Sequence, residues 1–414
     1  MYKLLDQKAI TKIQAIIIAV VIIIAAICGG LAYYFMTLPP AKGEIVIGGS
    51  LPLTGIYSDT GKWIEKGYRY WADEINAKGG LLGKPVRLII YDDESDVSKA
   101  TSYLEKAITV DKVDLLLGGY PGTACVAQMA VAEKYHMVYV SMGGHMASFS
   151  QGYKYSFGAP PLMGEWWATG FVQFLGSLPS GVRPKSAAII TMDNVIGRAC
   201  RTSMEPLKDL GISIVLDERY ALPVTYETIV SLVSRAKAAN AELFFANGFF
   251  DDGVMTIRAC MELGYEPKAI FQSVGCIIPE WVTQLGKYGN YVFSGTPLHW
   301  KLPYVKDERP DLIEYCQKTY GGPPPQYFLF GYCWMQVLQK AVEGVGRIDQ
   351  DAIKDWLRTH TVHCLAGDLT FDEKGLPQPY SYCTQIINGT VELIWPLNVR
   401  TAEPIYPRPN WSNY

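Results

Sequence analysis

The sequence predicts an α/β protein made of two parallel sheets, each flanked by helices on both faces. Three observations lead there. Residues 45–97 read as a strand, a turn-rich loop, an amphipathic helix, a Gly79-Gly80 turn and a second strand, which is one βαβ unit. The same alternation of apolar runs and amphipathic segments continues through most of the chain. The 414 residues leave roughly 370 beyond an N-terminal apolar run, which favours two domains over one.

In order, strands are expected at Ile45–Gly49, Val86–Tyr91, Leu115–Gly118, Met137–Val140, Ala187–Met192, Ile212–Leu216, Leu243–Ala246, Ala269–Gln272 and Tyr291–Phe293. Each is a short apolar run bounded by polar or turn-forming residues. Helices are expected between them at Lys62–Ala77, Ser98–Thr109, Ala124–Tyr135, Gly197–Leu210, Tyr226–Ala239 and Gly253–Leu263, where apolar residues recur at helical spacing. Three breaks punctuate the pattern: Phe157-Gly-Ala-Pro-Pro161, Gly295-Thr-Pro297 and Leu376-Pro-Gln-Pro379. A last strand pair, Tyr382–Ile387 and Val391–Trp395, follows the third.

The N-terminus sets the compartment. Lys3, Lys8 and Lys12 precede the uncharged run Ile13–Met36, longer than the about 20 residues a helix needs to cross a bilayer. Lysines before it and none immediately after put residues 1–12 in the cytoplasm and the remainder outside. The reading is a single-pass membrane anchor (13–36), a spacer Thr37–Gly43, and an extracytoplasmic domain at the cell surface or in the periplasm. Ala25-Ala26 is a weak cleavage motif, and bulky Ile27 before Cys28 argues against lipidation there. A net charge of −3 is too mild to argue for nucleic acid as a partner. Of 9 cysteines, Cys28 lies in the span, and the rest fall where disulfides are permitted. Cys364 and Cys383 flank an expected hairpin and are a candidate pair; other pairings stay open. Asn388-Gly-Thr and Asn410-Trp-Ser are glycosylation sequons.

The wording of the first βαβ unit is specific. Gly-x-x-x-Pro52-Leu-Thr-Gly55, then Glu74-Ile-Asn-Ala-Lys-Gly-Gly80-x-x-Gly83, then Tyr91-Asp-Asp93 resembles the branched-chain amino-acid-binding proteins of ABC importers. The resemblance covers about 350 residues, from Glu44 to the last strand. It implies the type I periplasmic-binding-protein fold: two Rossmann-like lobes joined by three hinge crossings. Lobe 1 would then be 44–160 with 297–377, lobe 2 would be 161–296 with 378–400, and 401–414 a Pro-rich tail.

Ligand in such a fold lies between the carboxyl edges of the two sheets, where helix N-termini favour an anionic group. In the first loop Tyr57 and Thr60 are candidates to wall a side-chain pocket. After the third strand, Tyr120, Gly122 and Thr123 stand where the family holds a carboxylate with hydroxyls and amides. Thr123 also suits a helix cap. After the fourth strand Gly143 can offer a carbonyl to an ammonium group, and His145 replaces the family's Thr. Lobe 2 departs further. Ile196 stands where the family commonly has an aromatic residue. Asn247 and Phe249 are expected to face the cleft. Gly275 takes the slot of the family's acid, and Asp251 or Asp252 is the available replacement.

The resemblance implies a membrane-anchored solute-binding protein that captures a small carboxylate by hinge closure and delivers it to an ABC permease pair. A branched-chain or other apolar amino acid is the first expectation. Alternatives are an aromatic carboxylate or amide, or a sensory ectodomain, though only residues 1–12 precede the span to carry a signalling module. No cofactor, metal or catalytic residue is expected. No G-x-S-x-G elbow, phosphate loop or H-E-x-x-H motif occurs, so an enzyme is not predicted. His360-x-x-His363-Cys364 has some metal-ligand character, but structural histidines explain it better. Asp92-Asp93-Glu94 reads as a strand-end cluster capping the helix at Ser98.

Overall fold

The computed structural model describes residues 43–160 and 164–414. The expected anchor Ile13–Met36, most of the spacer, and Pro161 lie outside the described residues. Among the described residues no helix is long and apolar enough to cross a membrane. Contacts gather Ile45–Tyr414 into one unit.

The strands are β1 (Ile45–Leu51), β2 (Val86–Asp92), β3 (Leu115–Leu116), β4 (Tyr139–Ser141), β5 (Ser156–Gly158), β6 (Ser186–Met192), β7 (Ser213–Tyr220), β8 (Leu243–Asn247), β9 (Ala269–Gln272), β10 (Val292–Thr296), β11 (Val362–Cys364), β12 (Gly367–Leu369), β13 (Tyr382–Ile387) and β14 (Thr390–Trp395). The α-helices are α1 (Ser58–Ala77), α2 (Val97–Thr109), α3 (Gly122–Lys134), α4 (Thr169–Ser177), α5 (Val195–Thr202), α6 (Tyr226–Ala238), α7 (Phe250–Glu262), α8 (Pro279–Leu285), α9 (Pro303–Lys306), α10 (Pro310–Tyr320), α11 (Gln326–Val345) and α12 (Gln350–Thr359).

Two main sheets result. The first has the order β2-β1-β3, all parallel, with β4 and β5 forming a separate parallel pair. The second has the order β14-β13-β10-β9-β8-β6-β7. Its β6–β10 members are parallel, while β13 runs antiparallel to β10 and to β14. The chain therefore leaves the second sheet after β10, builds α9–α12, and returns to the same sheet.

Several expectations change. Phe157 and Gly158 form part of β5 rather than a break. The helix expected over 197–210 ends at Thr202 and resumes as a 3-10 turn, Glu205–Leu210, with Pro206 at its start. The cluster at Asp92 does not cap α2; Asp96 does, accepting from the Lys99 N–H at 2.9 Å. The hairpin after Cys364 is the short β11–β12 turn, and Cys364 and Cys383 are both free. The sulfur that neighbours Cys364 belongs to Cys333, 3.7 Å away. His363 pairs with Asp368 at 2.7 Å and Glu308 at 2.8 Å on the surface, and His360 stacks on Trp356. Among the described residues no cluster of three or more His, Cys, Asp or Glu side chains is placed to hold a metal ion.

Reciprocal glycines position the site. A Cβ on Gly67 of α1 would lie 2.2 Å from the Phe328 carbonyl oxygen, and one on Gly331 of α11 would lie 2.3 Å from that of Ile64. Only residues without a side chain permit this approach. The two helices therefore cross in close contact, and Trp71 of α1 donates its indole N–H to Gln339 of α11 at 2.8 Å.

The last residues pack back on the second sheet system. Gln385 of β13 accepts from the Ile405 N–H at 2.9 Å, and Arg408 is buried in an ion pair with Glu266. Trp411 covers the guanidinium, with Arg408 Cζ 3.9 Å from the ring centroid.

Candidate functional site

Loops that follow β1, β3 and β4 meet loops that follow β6 and β8, Tyr57 against Phe249 and Gly122 and Gly144 against Ile196. The β1 end is shaped by Asp92, which accepts from the N–H groups of Leu53 (3.0 Å), Thr54 (3.1 Å) and Glu94 (2.9 Å) and from the Thr54 hydroxyl at 2.8 Å. Burial opposes its ionisation, but these donors outweigh it and hold the carboxyl below its usual range. Asp93 beside it is buried and accepts from the Ser50 hydroxyl at 2.9 Å. Burial pushes its value up to about 6.

This loop delivers Tyr57 to the entrance of α1. Its ring stands edge-on to Phe249, centroids 4.8 Å apart, and to Tyr120 at 6.3 Å. Rings from the β1, β3 and β8 loops thus form one group spanning both sheets, at the T-shaped geometry that aromatic quadrupoles favour. Burial, reinforced by the charge of Asp252, pushes the Tyr57 hydroxyl up to about 12. Thr60, also buried, donates to the Tyr57 carbonyl at 2.9 Å.

Tyr120 is buried, and among the described residues its hydroxyl finds no hydrogen-bond partner. Neither does the hydroxyl of Tyr327, whose ring stands edge-on to it at 5.6 Å. Sequence reasoning passed over Tyr327 because it sits in the apolar run 327–338, which reads as core. The contact of α1 with α11 brings it here.

Helix α3 begins at Gly122, with Pro121 at the N-cap position and no side-chain cap. Thr123 therefore lies inside the first turn and does not cap it, contrary to the sequence expectation: Pro121, at φ −77°, places the boundary two residues earlier. The α1 and α7 N-termini likewise lack a side-chain cap, whereas Asp96, Asn194, Thr225 and Asp349 cap α2, α5, α6 and α12. Three helices with no side chain over their first amides begin around the aromatic group.

Gly143 and Gly144 adopt the left-handed region, at φ +65° and +83°. The Gly143 carbonyl accepts from the Ser148 hydroxyl at 2.8 Å, and that of Gly144 from the Gly164 N–H at 2.8 Å. Ile196 inserts opposite them: a Cβ on either Gly122 or Gly144 would lie 2.5 Å from its Cδ1. His145 is buried, which lowers its pKa and favours the neutral ring.

On the second sheet Asn247 is buried against Thr191 (3.2 Å) and Met204 (3.6 Å); the structure does not bring it into the aromatic group. Its Oδ1 has no partner among the described residues. Gly275 has φ +86°, and a Cβ there would lie 2.7 Å from the Phe250 N and 2.8 Å from its Cα. An acid at this position would collide with the start of α7.

The acid that does lie here is Asp252, buried and accepting from the Tyr220 hydroxyl. Burial pushes its carboxyl up to about 6. Asp251, on the same turn, has its carboxyl raised by partial burial and then by the charge of Asp59 in the first turn of α1. Glu280, the first acid after Gly275, is engaged: Trp63 donates its indole N–H to both carboxylate oxygens at 3.0 Å. Tyr220 was not legible, because the expected strand ended at Leu216.

The periplasmic binding protein family matches residues 44–390, and the chain belongs to that family. It is 26% identical over 334 residues to the Leu/Ile/Val-binding protein homolog 7 of Brucella abortus, spanning 77% of this chain and 82% of the relative. Among solved structures it resembles the branched-chain amino acid transporter substrate-binding protein LivJ of Streptococcus pneumoniae, in complex with isoleucine. That likeness has a TM-score of 0.74 at 19% identity and covers 85% of this chain and 100% of the other. An ABC-transporter solute-binding protein of R. palustris, in complex with benzoate, superposes with a TM-score of 0.72 at 16% identity, over 85% and 96% of the two chains. These likenesses establish the type I α/β fold.

Proposed function

We infer that this chain is the extracytoplasmic solute-binding component of an ABC importer. One observation carries the reading: Tyr57, Tyr120 and Phe249, from loops of both sheets, form one aromatic group ringed by the N-termini of α1, α3 and α7. Residues 44–160 with 297–377 act as one lobe and 161–296 with 378–400 as the other; ligand is held where they close. The segment Ile13–Met36 anchors the protein in the membrane, and a permease pair receives the ligand.

The ligand is a small carboxylate, first a branched-chain or other apolar amino acid. Its carboxylate meets the first turns of α1 and α3, with Thr60, Tyr120, Gly122 and Thr123. The carbonyl of Gly143 and the carboxylate of Asp252 receive the ammonium group. Tyr57, Ile196 and Phe249 enclose the side chain, and Tyr327 closes the base. His145 lies at the rim of the same loop, and Asn247 supports β8 from behind.

A second reading, an aromatic carboxylate, is favoured by Gly275, whose contact with Phe250 excludes an acid, and by the aromatic walls. Isothermal titration of the full-length chain in detergent, with isoleucine, leucine, valine, benzoate and benzamide, separates the two. A ligand at a hundred times its dissociation constant should also stabilise the fold by about 2.7 kcal/mol. Failure of all five to bind would sink the carboxylate reading.

A further inference from the structure

Cys333 and Cys364 stand 31 positions apart in sequence, yet their sulfurs lie 3.7 Å from each other. Cys333 is on α11 and Cys364 ends β11, and both are buried, at 0% and 2% exposure. The main chain beside them is pinned. Gln336, one turn after Cys333, accepts from the Leu365 N–H at 2.8 Å. The Ala366 carbonyl accepts from the Tyr380 hydroxyl at 2.9 Å. Among the described residues no other cysteine bonds to a second cysteine, and the remaining thiols are buried apart.

Two observations narrow what the pair can do. A thiol is a weak donor and a weak acceptor, so the contact holds little as a hydrogen bond. Two sulfurs do not complete a tetrahedral metal site, and among the described residues no third ligand is placed to join them. What remains to adjacent sulfurs is oxidation. A disulfide sets its sulfurs about 2.05 Å apart, so each has less than about 1 Å to travel, within the reach of side-chain rotation. In the folded protein the neighbouring Cys364 thiol, and then burial, push the Cys333 thiol well up. The thiolate that exchange requires is therefore suppressed once α11 is packed, and the bond must form earlier.

We propose that Cys333 and Cys364 are joined by a disulfide made while the chain folds, by exchange with a small-molecule or protein disulfide. One cysteine thiolate attacks that oxidant, releasing one of its thiols and leaving a mixed disulfide. The second cysteine thiolate attacks the cysteine sulfur of the mixed disulfide and releases the other thiol. Two electrons pass to the oxidant, and the two protons the cysteines lose end on the released thiols. The bond closes the segment 333–364, which holds the rest of α11 and all of α12, and so clamps the helix that carries Tyr327. It goes beyond the solute-binding reading and stands whatever the cleft binds.

The test is a peptide map of the full-length chain, purified in detergent without reductant and alkylated in denaturant before digestion with trypsin. Cys333 falls in peptide 319–340 and Cys364 in peptide 359–374, each with one cysteine, so a link between them is unambiguous. In cells whose cytoplasm and exported compartment are both oxidising, the two peptides should appear joined, two hydrogens lighter than their sum, and separate on reduction. Both cysteines alkylated in that sample, or either one joined to a different cysteine, overturns the pairing. Cells with a reducing cytoplasm separate this from the reading of location: an extracytoplasmic domain keeps the link there. A link present in the first cells and absent from the second upholds the pair and counts against the extracytoplasmic placement. Reductant should lower the Tm of the linked chain by roughly 5 °C and leave that of Cys333→Ser unchanged. Should Cys333→Ser fail to fold, the map of the unaltered chain decides.

Discussion

Trp63 and Glu280 are joined by a hydrogen bond from the indole N–H to the carboxylate, 3.0 Å to each oxygen, tying α1 to α8. The two helices follow strands of different sheets, so the bond ties one sheet system to the other. Bonds to an ionised partner contribute on the order of 1.5–3 kcal/mol, less where solvent reaches them as it does Glu280. Trp63→Phe should lower unfolding free energy by about 1–2 kcal/mol in urea titrations. An unchanged midpoint would show the contact to be idle.

Gly122, Gly144 and Ile196 interlock across the same junction. Gly122→Ala sets a methyl 2.5 Å from Ile196 Cδ1 and 3.0 Å from the Gly144 Cα. Overpacking of this kind costs about 1–3 kcal/mol. Ile196→Ala should recover part of it, so a double-mutant cycle should return a coupling of about 1 kcal/mol or more. Additive effects would mean that the loops move apart freely.

Asp252 makes stability depend on pH and, on the proposed ammonium contact, binding as well. Its folded-state value of about 6 lies above the usual carboxylate value, so the folded protein holds the proton more tightly. Stability from this group rises as pH falls through about 6 toward 4 and is lost above it, on the order of 2–3 kcal/mol in all. Asp93, also at about 6, contributes with the same sign. Asp252→Asn should flatten its share of the profile. An amino-acid ligand needs the ionised carboxylate, so its affinity should rise from pH 5 to 7 with release of a proton. Titration calorimetry in buffers of different ionisation enthalpy reads that proton, and a simple aromatic carboxylate should release none.

Glu266 holds the buried Arg408, whose side chain is 1% exposed against 33% for the acid. Removing the partner of a buried charge leaves that charge uncompensated. Glu266→Ala should cost about 2–3 kcal/mol, whereas Glu403→Ala, at an exposed pair with Arg400, should cost under about 0.5 kcal/mol. Chemical denaturation compares the two directly.

The alternating strands and helices were legible because each strand of a covered parallel sheet is a short apolar run. β5 was not, since its three residues share a stretch with Pro160 and Pro161 and carry no period. The loops that meet were legible from the first βαβ unit, because strand ends in such a sheet share one edge. What sequence could not supply is contact between distant segments. Tyr327 arrives through the Gly67–Gly331 crossing, and Asp252 is drawn inward by Tyr220, which lies 32 positions away. Thr123 misled because its type suits a cap, while Pro121 set the boundary.

Gly275 restricts what the segment between β9 and α8 can carry. Any side chain at that position meets both an unfavourable φ of +86° and the backbone of Phe250. No single substitution can install a carboxylate there without displacing the start of α7. On the proposed ligand reading, specificity is more open to change at positions 196 and 252, neither of which has a positive φ.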